Sequence, residues 1–171
     1  LASMHEAGVV GILNCGSDWQ ASLTTFEMCR RWDFVFGAVG IHPGNADEWG
    51  QEVRRQLPAM LDHPKVVAVG EVGLDYYWED NPSREVQKQV LDGQLTLALE
   101  RGLPVVIHDR EAHGDTLETL RHFARQGLRG VLHSFSGSVE MAREVLDLGF
   151  CLGISGVVTY KNARKLVEVV R

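Results

Sequence analysis

The chain has 171 residues, of which 44% are hydrophobic and 23% are charged. This length and composition predict one globular domain with a sizeable core, and they exclude disordered, collagen-like and simple coiled-coil proteins. The net charge of −6 disfavours a generic basic surface for nucleic acids, so a polyanion would have to be held by local groups or by metal ions.

Membrane insertion and disulfide bonding are not expected. No apolar run approaches the roughly 20 residues that a membrane helix needs, and no signal peptide precedes the first strand. Cys15, Cys29 and Cys151 are odd in number and lack a C-x-x-C spacing, which disfavours a disulfide framework and a thiolate zinc site. The sequence therefore predicts a protein of the reducing cytoplasm.

Short apolar runs recur along the chain and predict six β-strands. Each run is continuously apolar rather than alternating, which is typical of strands that are buried on both faces of a parallel sheet. The predicted strands are residues 9–13, 35–39, 66–70, 104–107, 130–132 and 150–154.

Helical patterns separate these runs. Asn81 and Pro82 are expected to begin a helix that ends at Gly102. Its apolar stripe is predicted at Val86, Val90, Gly93 and Leu97.

Two further helices carry clear boundary signals. Asp115 and Glu118 have the spacing of a capping box, with Asp115 as the cap, and Gly127 is expected to end that helix. Ser138 is expected to open the next helix, and Gly149 to close it.

The regular alternation of strands and helices predicts an α/β fold. It is compatible with an open doubly wound sheet or with a (β/α) barrel, and six βα units are two short of a closed barrel. The glycine-rich motifs of nucleotide-binding open sheets are missing after the first strand, which favours the barrel.

Polar side chains follow four neighbouring strands at the point where each strand is predicted to end. They are His42, Glu71, His108 and His133. Because parallel strands of these folds carry their working residues at the carboxyl ends, we expect the four side chains to lie at one face of the sheet.

Glu71, His108 and His133 are the strongest candidates for a metal site. A carboxylate directly after a buried strand is poorly hydrated and needs a partner, and two imidazoles from the next two strands would supply one. Two histidines and a glutamate suit Zn²⁺ with an open position, or Fe²⁺ and Mn²⁺. Taken singly, a histidine at a strand end is more often a polar group with a local partner.

Other residues near these strand ends keep two interpretations each. His42 is either a structural residue of its turn or a substrate contact. Arg110 either grips a phosphate or carboxylate, or forms a loop ion pair with Asp109 or Glu111. Asp75 either orients a metal ligand or caps the turn that follows it.

Ser136 and Ser138 precede a predicted helix N-terminus, which is a natural site for an anion. Simple capping by Ser138 is the other interpretation, and the two are compatible. Trp78 is the tryptophan placed to line the rim of a substrate site.

Four motifs resemble the TatD family of metal-dependent deoxyribonucleases, in the same order and at the same strand ends. The resemblance runs through essentially the whole chain. The motifs are residues 38–43, 70–77, 104–112 and 132–138.

The resemblance implies a TIM-like (β/α) barrel of the amidohydrolase superfamily, with six of the eight βα units in residues 1–171 as part of one hydrolase domain. It implies a site for up to two divalent ions (Mg²⁺, Mn²⁺ or Zn²⁺), with Glu71 as the bridging carboxylate and His108 and His133 on the second ion. The implied reaction is hydrolysis of DNA phosphodiesters in the 3′ to 5′ direction, with attack of metal-activated water on phosphorus. The implied partner is DNA, either single-stranded or at 3′ ends, without a membrane or an obligate protein partner.

Two features of the family are missing from residues 1–171: the His-x-His pair of its first strand and the aspartate after its eighth strand. The remaining half-site is expected to bind one metal well, and the outer strands are expected to expose their edges. The non-Met start favours an interior portion of a longer protein over a truncated, inactive barrel. A small-molecule amidohydrolase or phosphoesterase on the same metal site remains the alternative function.

Overall fold

Strands and helices alternate throughout the structure, a computed structural model that describes residues 1–171. The strands are β1 (Ile12–Cys15), β2 (Val35–Val39), β3 (Val66–Asp75), β4 (Val105–Arg110), β5 (Gly130–Leu132) and β6 (Cys151–Leu152). The α-helices are α1 (Ala2–Glu6), α2 (Trp19–Arg31), α3 (Gln51–Leu61), α4 (Arg84–Arg101), α5 (His113–Ala124), α6 (Val139–Asp147) and α7 (Arg164–Val169). Two 3₁₀-helices span Pro43–Glu48 and Gly156–Thr159.

The six strands form one parallel sheet in the order β1-β2-β3-β4-β5-β6. The sheet curls into part of a TIM-like barrel, which confirms the predicted α/β class and the number of βα units. As expected, β1 and β6 are the outer strands. None of the helices combines the length and the apolar character needed to cross a bilayer.

Four of the predicted strands have different boundaries in the structure. One of them is β4, which spans Val105–Arg110 rather than residues 104–107, so His108 lies inside the strand and not after it. β1 lies later than residues 9–13, and β6 is shorter than residues 150–154. β3 does not end at Gly70 but continues to Asp75, so Glu71 lies inside a strand. The pairing of β3 with β4 is irregular between Val69 and Val72 and then resumes. In the sequence, a glutamate that directly follows Gly70 and lies close to Gly73 resembles a strand end. In the structure, the register shift against β4 allows β3 to continue past it.

The main core lies between the sheet and the helices and contains 26 buried residues. Fully burying a side chain of this kind contributes roughly 1.5–3 kcal/mol. The core fixes the carboxyl ends of the strands relative to one another, which is what positions the polar residues there. Its largest fully buried side chains include Phe150, Ile41, Leu57, Leu74 and Leu95.

Helix α4 begins and packs differently from the prediction. Its cap is Ser83, which accepts a hydrogen bond from the Val86 N–H at 3.3 Å, rather than Asn81. Gly102 ends it in the left-handed conformation, as predicted. Of the predicted apolar stripe only Val90 lies on the buried face, which also contains two polar residues that the prediction left out. That face consists of Gln87, Val90, Leu91, Gln94, Leu95 and Ala98.

Of the two helix caps predicted at Asp115 and Ser138, the first is wrong and the second is confirmed. Asp115 is not a cap, because α5 already begins at His113. The carboxylate of Asp109 lies at this first turn instead, where it accepts from the Thr116 hydroxyl at 3.1 Å and satisfies the favourable position for a negative charge. Ser138 caps α6 as predicted, by accepting from the Met141 N–H at 3.2 Å.

Candidate metal centre

His108 of β4 lies between two carboxylates of β3. Its Nδ1 is 3.2 Å from Glu71 Oε1, and its Nε2 is 2.9 Å from Asp75 Oδ2. Asp75 is buried, and its other carboxylate oxygen accepts from the Tyr77 N–H at 3.0 Å. Asp75 therefore contacts His108 and also caps the turn that follows β3.

The ring of His42 completes the cluster. Its centroid lies 4.3 Å from that of His108, in an edge-on arrangement. One ligand atom from each of His42, Glu71 and His108 lies within 4.8 Å of the others, and no other group of three such residues in the chain is this close. Residues near the carboxyl ends of β2, β3 and β4 thus meet at one face of the sheet, as predicted, but the third member of the close group is His42 rather than the predicted His133.

The donor set fits a divalent cation. Metal–ligand distances of roughly 2.0–2.2 Å place the ligand atoms of one ion within about 3–4 Å of each other, and His108 Nδ1 and Glu71 Oε1 already lie 3.2 Å apart. Carboxylate and imidazole donors suit Zn²⁺, Mn²⁺ and Fe²⁺. Glu71 and Asp75 also supply the negative charge that a partly buried cation requires.

The charge state of Glu71 favours a cation ligand. Burial alone acts to raise the pKa of this carboxyl. The hydrogen bond with His108 and electrostatic interactions with His108, His133 and His42 outweigh burial, so the pKa lies below its ordinary value. Glu71 is therefore an anion at neutral pH.

The pKa of His108 is shifted in the opposite direction. Burial acts to lower its pKa, but hydrogen bonds and charge interactions with Glu71 and Asp75 dominate and raise the pKa above its ordinary value. A metal ion at this ring would take the place of a proton, so metal binding and proton release are coupled at His108.

His42 is neutral and carries its proton on Nε2. Burial, reinforced by the charge of His108, lowers the pKa of His42 to about 4. The Gly44 N–H donates to His42 Nδ1 at 3.1 Å, which assigns the proton of the neutral ring to Nε2. In this tautomer His42 is a hydrogen-bond donor rather than a metal ligand.

Two buried glutamines of α4 hold the backbone on either side of the cluster. Gln94 accepts from the Ile41 N–H at 2.7 Å and donates to the Ile41 carbonyl at 3.0 Å. Gln87 accepts from the Asp75 N–H at 2.8 Å and donates to the Asp75 carbonyl at 3.0 Å. The sequence analysis missed both residues, although their spacing of seven places them on one helix face with Leu91.

Gly73 permits the close packing of β3 against β4 beside the cluster. Its φ is +151°, and a Cβ at this position would lie 1.9 Å from the carbonyl oxygen of His108. Only glycine fits this approach without moving the strand that carries His108.

His133 lies outside the close group. It directly follows β5, its N–H donates to the Ile107 carbonyl at 2.8 Å, and its side chain is exposed. It faces the same cleft as His108, and its charge acts on Glu71. The fold thus brings His108 and Glu71 into direct contact and places His133 at the edge of the same site.

A cleft of about 790 Å³ opens beside the cluster. Arg110 and Ser136 line it, whereas the hydroxyl of Ser138 is engaged in capping α6. Arg110 forms no ion pair with Asp109 or Glu111, and its guanidinium carbon lies 4.0 Å from the ring centroid of Tyr77. The loop ion pair considered for Arg110 is therefore not formed.

The matching family model, the similar sequences and a solved structure all point to the same family. The family described as TatD related DNase matches residues 1–171. The metal-dependent hydrolase YabD of Bacillus subtilis is 39% identical over 160 residues, which cover 94% of this chain and 62% of that protein. The 3′-5′ ssDNA/RNA exonuclease TatD of Klebsiella pneumoniae is 34% identical over 158 residues, covering 92% of this chain and 60% of that protein.

A solved structure shows the same fold. The crystal structure of YjjV, a TatD homologue from Escherichia coli, superposes with a TM-score of 0.87 at 33% identity, covering 96% of this chain and 63% of that one. The chain therefore spans somewhat less than two thirds of the length of these relatives.

Proposed function

Because the chain belongs to the family of TatD related DNases, we propose that it carries part of the active site of a divalent-metal-dependent hydrolase that cleaves DNA phosphodiester bonds from the 3′ end. The observation that carries this proposal is the contact of His108 Nδ1 with Glu71 Oε1 at 3.2 Å, at the carboxyl end of a parallel sheet. The relatives named as 3′-5′ ssDNA/RNA exonucleases support the same substrate class.

We assign the metal to Glu71, His108 and His133. Glu71 is anionic and half-buried, and His108 lies against it, while His133 borders the cleft from the next strand. Such a cation, Mg²⁺, Mn²⁺ or Zn²⁺, supplies Lewis-acid activation of water and offsets charge on the phosphate when it is bound. Asp75 holds the His108 ring in place through its contact with Nε2.

His42 has a separate role in this proposal. Its neutral ring directs an Nε2–H toward the cluster, where it donates to a phosphate oxygen of the substrate. A neutral donor of this kind binds an oxygen that gains negative charge without competing for the cation.

The cleft beside the cluster receives the neighbouring phosphates. Arg110 has no carboxylate partner and offers its guanidinium N–H groups to phosphate oxygens, and the Ser136 hydroxyl lies in the same lining. Ser138 begins α6 just beyond Ser136, and the helix N-terminus adds partial positive charge there. We place this activity in the cytoplasm, in keeping with three cysteines that form no disulfide.

The test uses the complete protein with single-stranded DNA labelled at either the 3′ or the 5′ end. We expect the 3′ label to be released first as a mononucleotide, and a metal chelator to abolish the release. Release of the 5′ label first would contradict the proposed direction. A chromogenic phosphodiester tests the substrate class: if excess single-stranded DNA fails to inhibit its hydrolysis, the site acts on small molecules instead.

A further inference from the structure

We propose that Tyr77, Trp78 and Arg110 form a stacking platform that binds an unpaired base of single-stranded DNA at the edge of the metal centre. This platform rests on the proposed function, because it gives the substrate of that site a binding position for a base in addition to its phosphates. The class of ligand is a flexible polynucleotide with at least one base that is free to stack.

The platform contains two exposed aromatic rings that contact each other. Tyr77 is 50% exposed and Trp78 is 57% exposed, although both follow a buried strand end. Their ring centroids are 4.8 Å apart at an interplanar angle of 89°. Two exposed aromatic rings in contact with each other form a contiguous apolar surface, and Tyr and Trp are enriched in binding surfaces.

Arg110 joins the two rings into one surface. Its guanidinium carbon lies 4.0 Å from the Tyr77 centroid and 5.4 Å from the Trp78 centroid. Since the guanidinium has no ion-pair partner, its charge is available to a ligand while it stays close to both rings. A planar cation beside aromatic rings is the combination that stacks bases of any sequence.

The platform is connected to the metal centre by short contacts. The Tyr77 N–H donates to Asp75 Oδ1 at 3.0 Å, and Asp75 Oδ2 lies 2.9 Å from His108 Nε2. Asp75 and Arg110 are also partners in the register of β3 and β4. A nucleotide whose phosphate lies at the centre can therefore extend its base, or that of its neighbour, toward the rings.

The charges around the cleft suit the phosphates of the same strand. Arg110, Arg164 and Lys165 line this cleft together with His108 and His133. Of the two acidic residues in the lining, Asp109 is engaged by His113 at 2.6 Å and by Thr116, which leaves Glu111. Bases on the rings and phosphates along the cations require a strand that is not paired, because a duplex hides the faces of its bases.

Fluorescence anisotropy of a fluorescein-labelled single-stranded oligonucleotide, with the complete protein in chelator, measures binding apart from cleavage. We expect Trp78→Ala to weaken binding by about tenfold or more, and Trp78→Phe to retain binding within about twofold because phenylalanine still stacks. Equal dissociation constants for Trp78→Ala and the wild type would overturn the proposal.

Tryptophan fluorescence identifies the ring that contacts the base. We expect the oligonucleotide to quench the wild-type emission, Trp78→Phe to lose most of that quenching, and Trp32→Phe to keep it. Trp32 is a matched control, because it also carries an arginine, Arg31, with its guanidinium carbon 5.6 Å from the ring centroid, but it lies before β2 at the opposite end of the sheet. Quenching that survives Trp78→Phe and vanishes in Trp32→Phe would refute the platform.

An abasic oligonucleotide tests the same contact without changing the protein. We expect the wild type to bind it about as weakly as Trp78→Ala binds the intact strand, and equal binding of the two strands would overturn the proposal. Failure of the proposed function is distinguishable: a protein that shows Trp78-dependent quenching but never cleaves DNA retains the platform and loses the nuclease assignment.

Discussion

Gln94 binds both backbone groups of Ile41, with its Oε1 2.7 Å from the amide nitrogen and its Nε2 3.0 Å from the carbonyl oxygen. The side-chain amide thereby replaces a neighbouring strand at a point where the sheet offers none. Because Ile41 directly precedes His42, this pair of bonds sets the position from which the His42 ring reaches the cluster.

Substitution of Gln94 tests that role. Gln94→Ala leaves the buried N–H and carbonyl of Ile41 without partners, so we expect a loss of about 2–4 kcal/mol in the free energy of unfolding. Gln89→Ala is the matched control, because Gln89 is exposed on the same helix, and its effect should stay within about 0.5 kcal/mol. Urea denaturation measures both, and equal midpoints would show that the Gln94 bonds are unimportant.

Gly73→Ala tests the close approach of β3 to His108. A Cβ at 1.9 Å from the His108 carbonyl oxygen forces the two strands apart. We expect a loss of more than about 3 kcal/mol in stability, together with weaker metal binding. Gly114→Ala is the control within α5, where a Cβ meets nothing within 4 Å, and it should be neutral or stabilising by about 0.5–1 kcal/mol. Similar thermal unfolding of the two variants would be inconsistent with the structure.

The buried, neutral state of His42 predicts a pH dependence of stability in chelated protein. The pKa of His42 is about 4 in the folded protein, below its ordinary value of 6.5, so the unfolded chain binds more protons in that interval. The stability that neutral His42 contributes is present above pH 6.5 and is lost as the pH falls toward 4.

Comparison with His42→Gln isolates this effect, since His108 titrates in both proteins. We expect the stability of the wild type relative to the variant to increase with pH across the interval. The measurement is the free energy of unfolding in urea as a function of pH, and a difference that decreases with pH would show that His42 is protonated in the folded state.

The tautomer of His42 is a separate prediction. The Gly44 N–H donates to Nδ1, so nitrogen-15 NMR at neutral pH should report a protonated Nε2. Activity should then fall in His42→Ala while metal content stays unchanged, because a donor to substrate is lost rather than a ligand. Loss of the metal in His42→Ala would instead make His42 part of the metal site.

Sequence patterns predicted the number of strands and the convergence of Glu71 and His108, because apolar runs and the polar residues near their carboxyl ends are local signals. They did not predict that both residues lie inside their strands. They failed where a partner distant in sequence decides the outcome. The cap predicted at Asp115 was wrong because the helix begins earlier, and Asp109, which precedes the helix, accepts a hydrogen bond from the Thr116 hydroxyl in its first turn. The apolar stripe of α4 was misplaced because a glutamine is ordinarily assigned to the surface, whereas Gln87 and Gln94 are buried.

Gln94 shows why that interpretation fails here. A buried glutamine is stable only if both ends of its amide are bonded, and its partner, Ile41, lies 53 residues away. The extension of β3 to Asp75 was missed for a related reason, since it depends on a register shift against β4. The periodicity of hydrophobic residues predicts neither the bond between Gln94 and Ile41 nor the register shift of β3 against β4.

Glu71→Gln provides the most direct test of the metal centre. The substitution keeps the size of the side chain and removes the negative charge that faces His108. In the complete protein we expect Mn²⁺ affinity, measured by calorimetry, to fall at least about a hundredfold, since even changes beyond the ligands of metal sites cost roughly 10–100-fold. Cleavage of single-stranded DNA should fall with it, whereas His122→Gln, on the exposed surface of α5, should leave both unchanged. Wild-type Mn²⁺ binding and DNA cleavage in Glu71→Gln would contradict the assignment of this site.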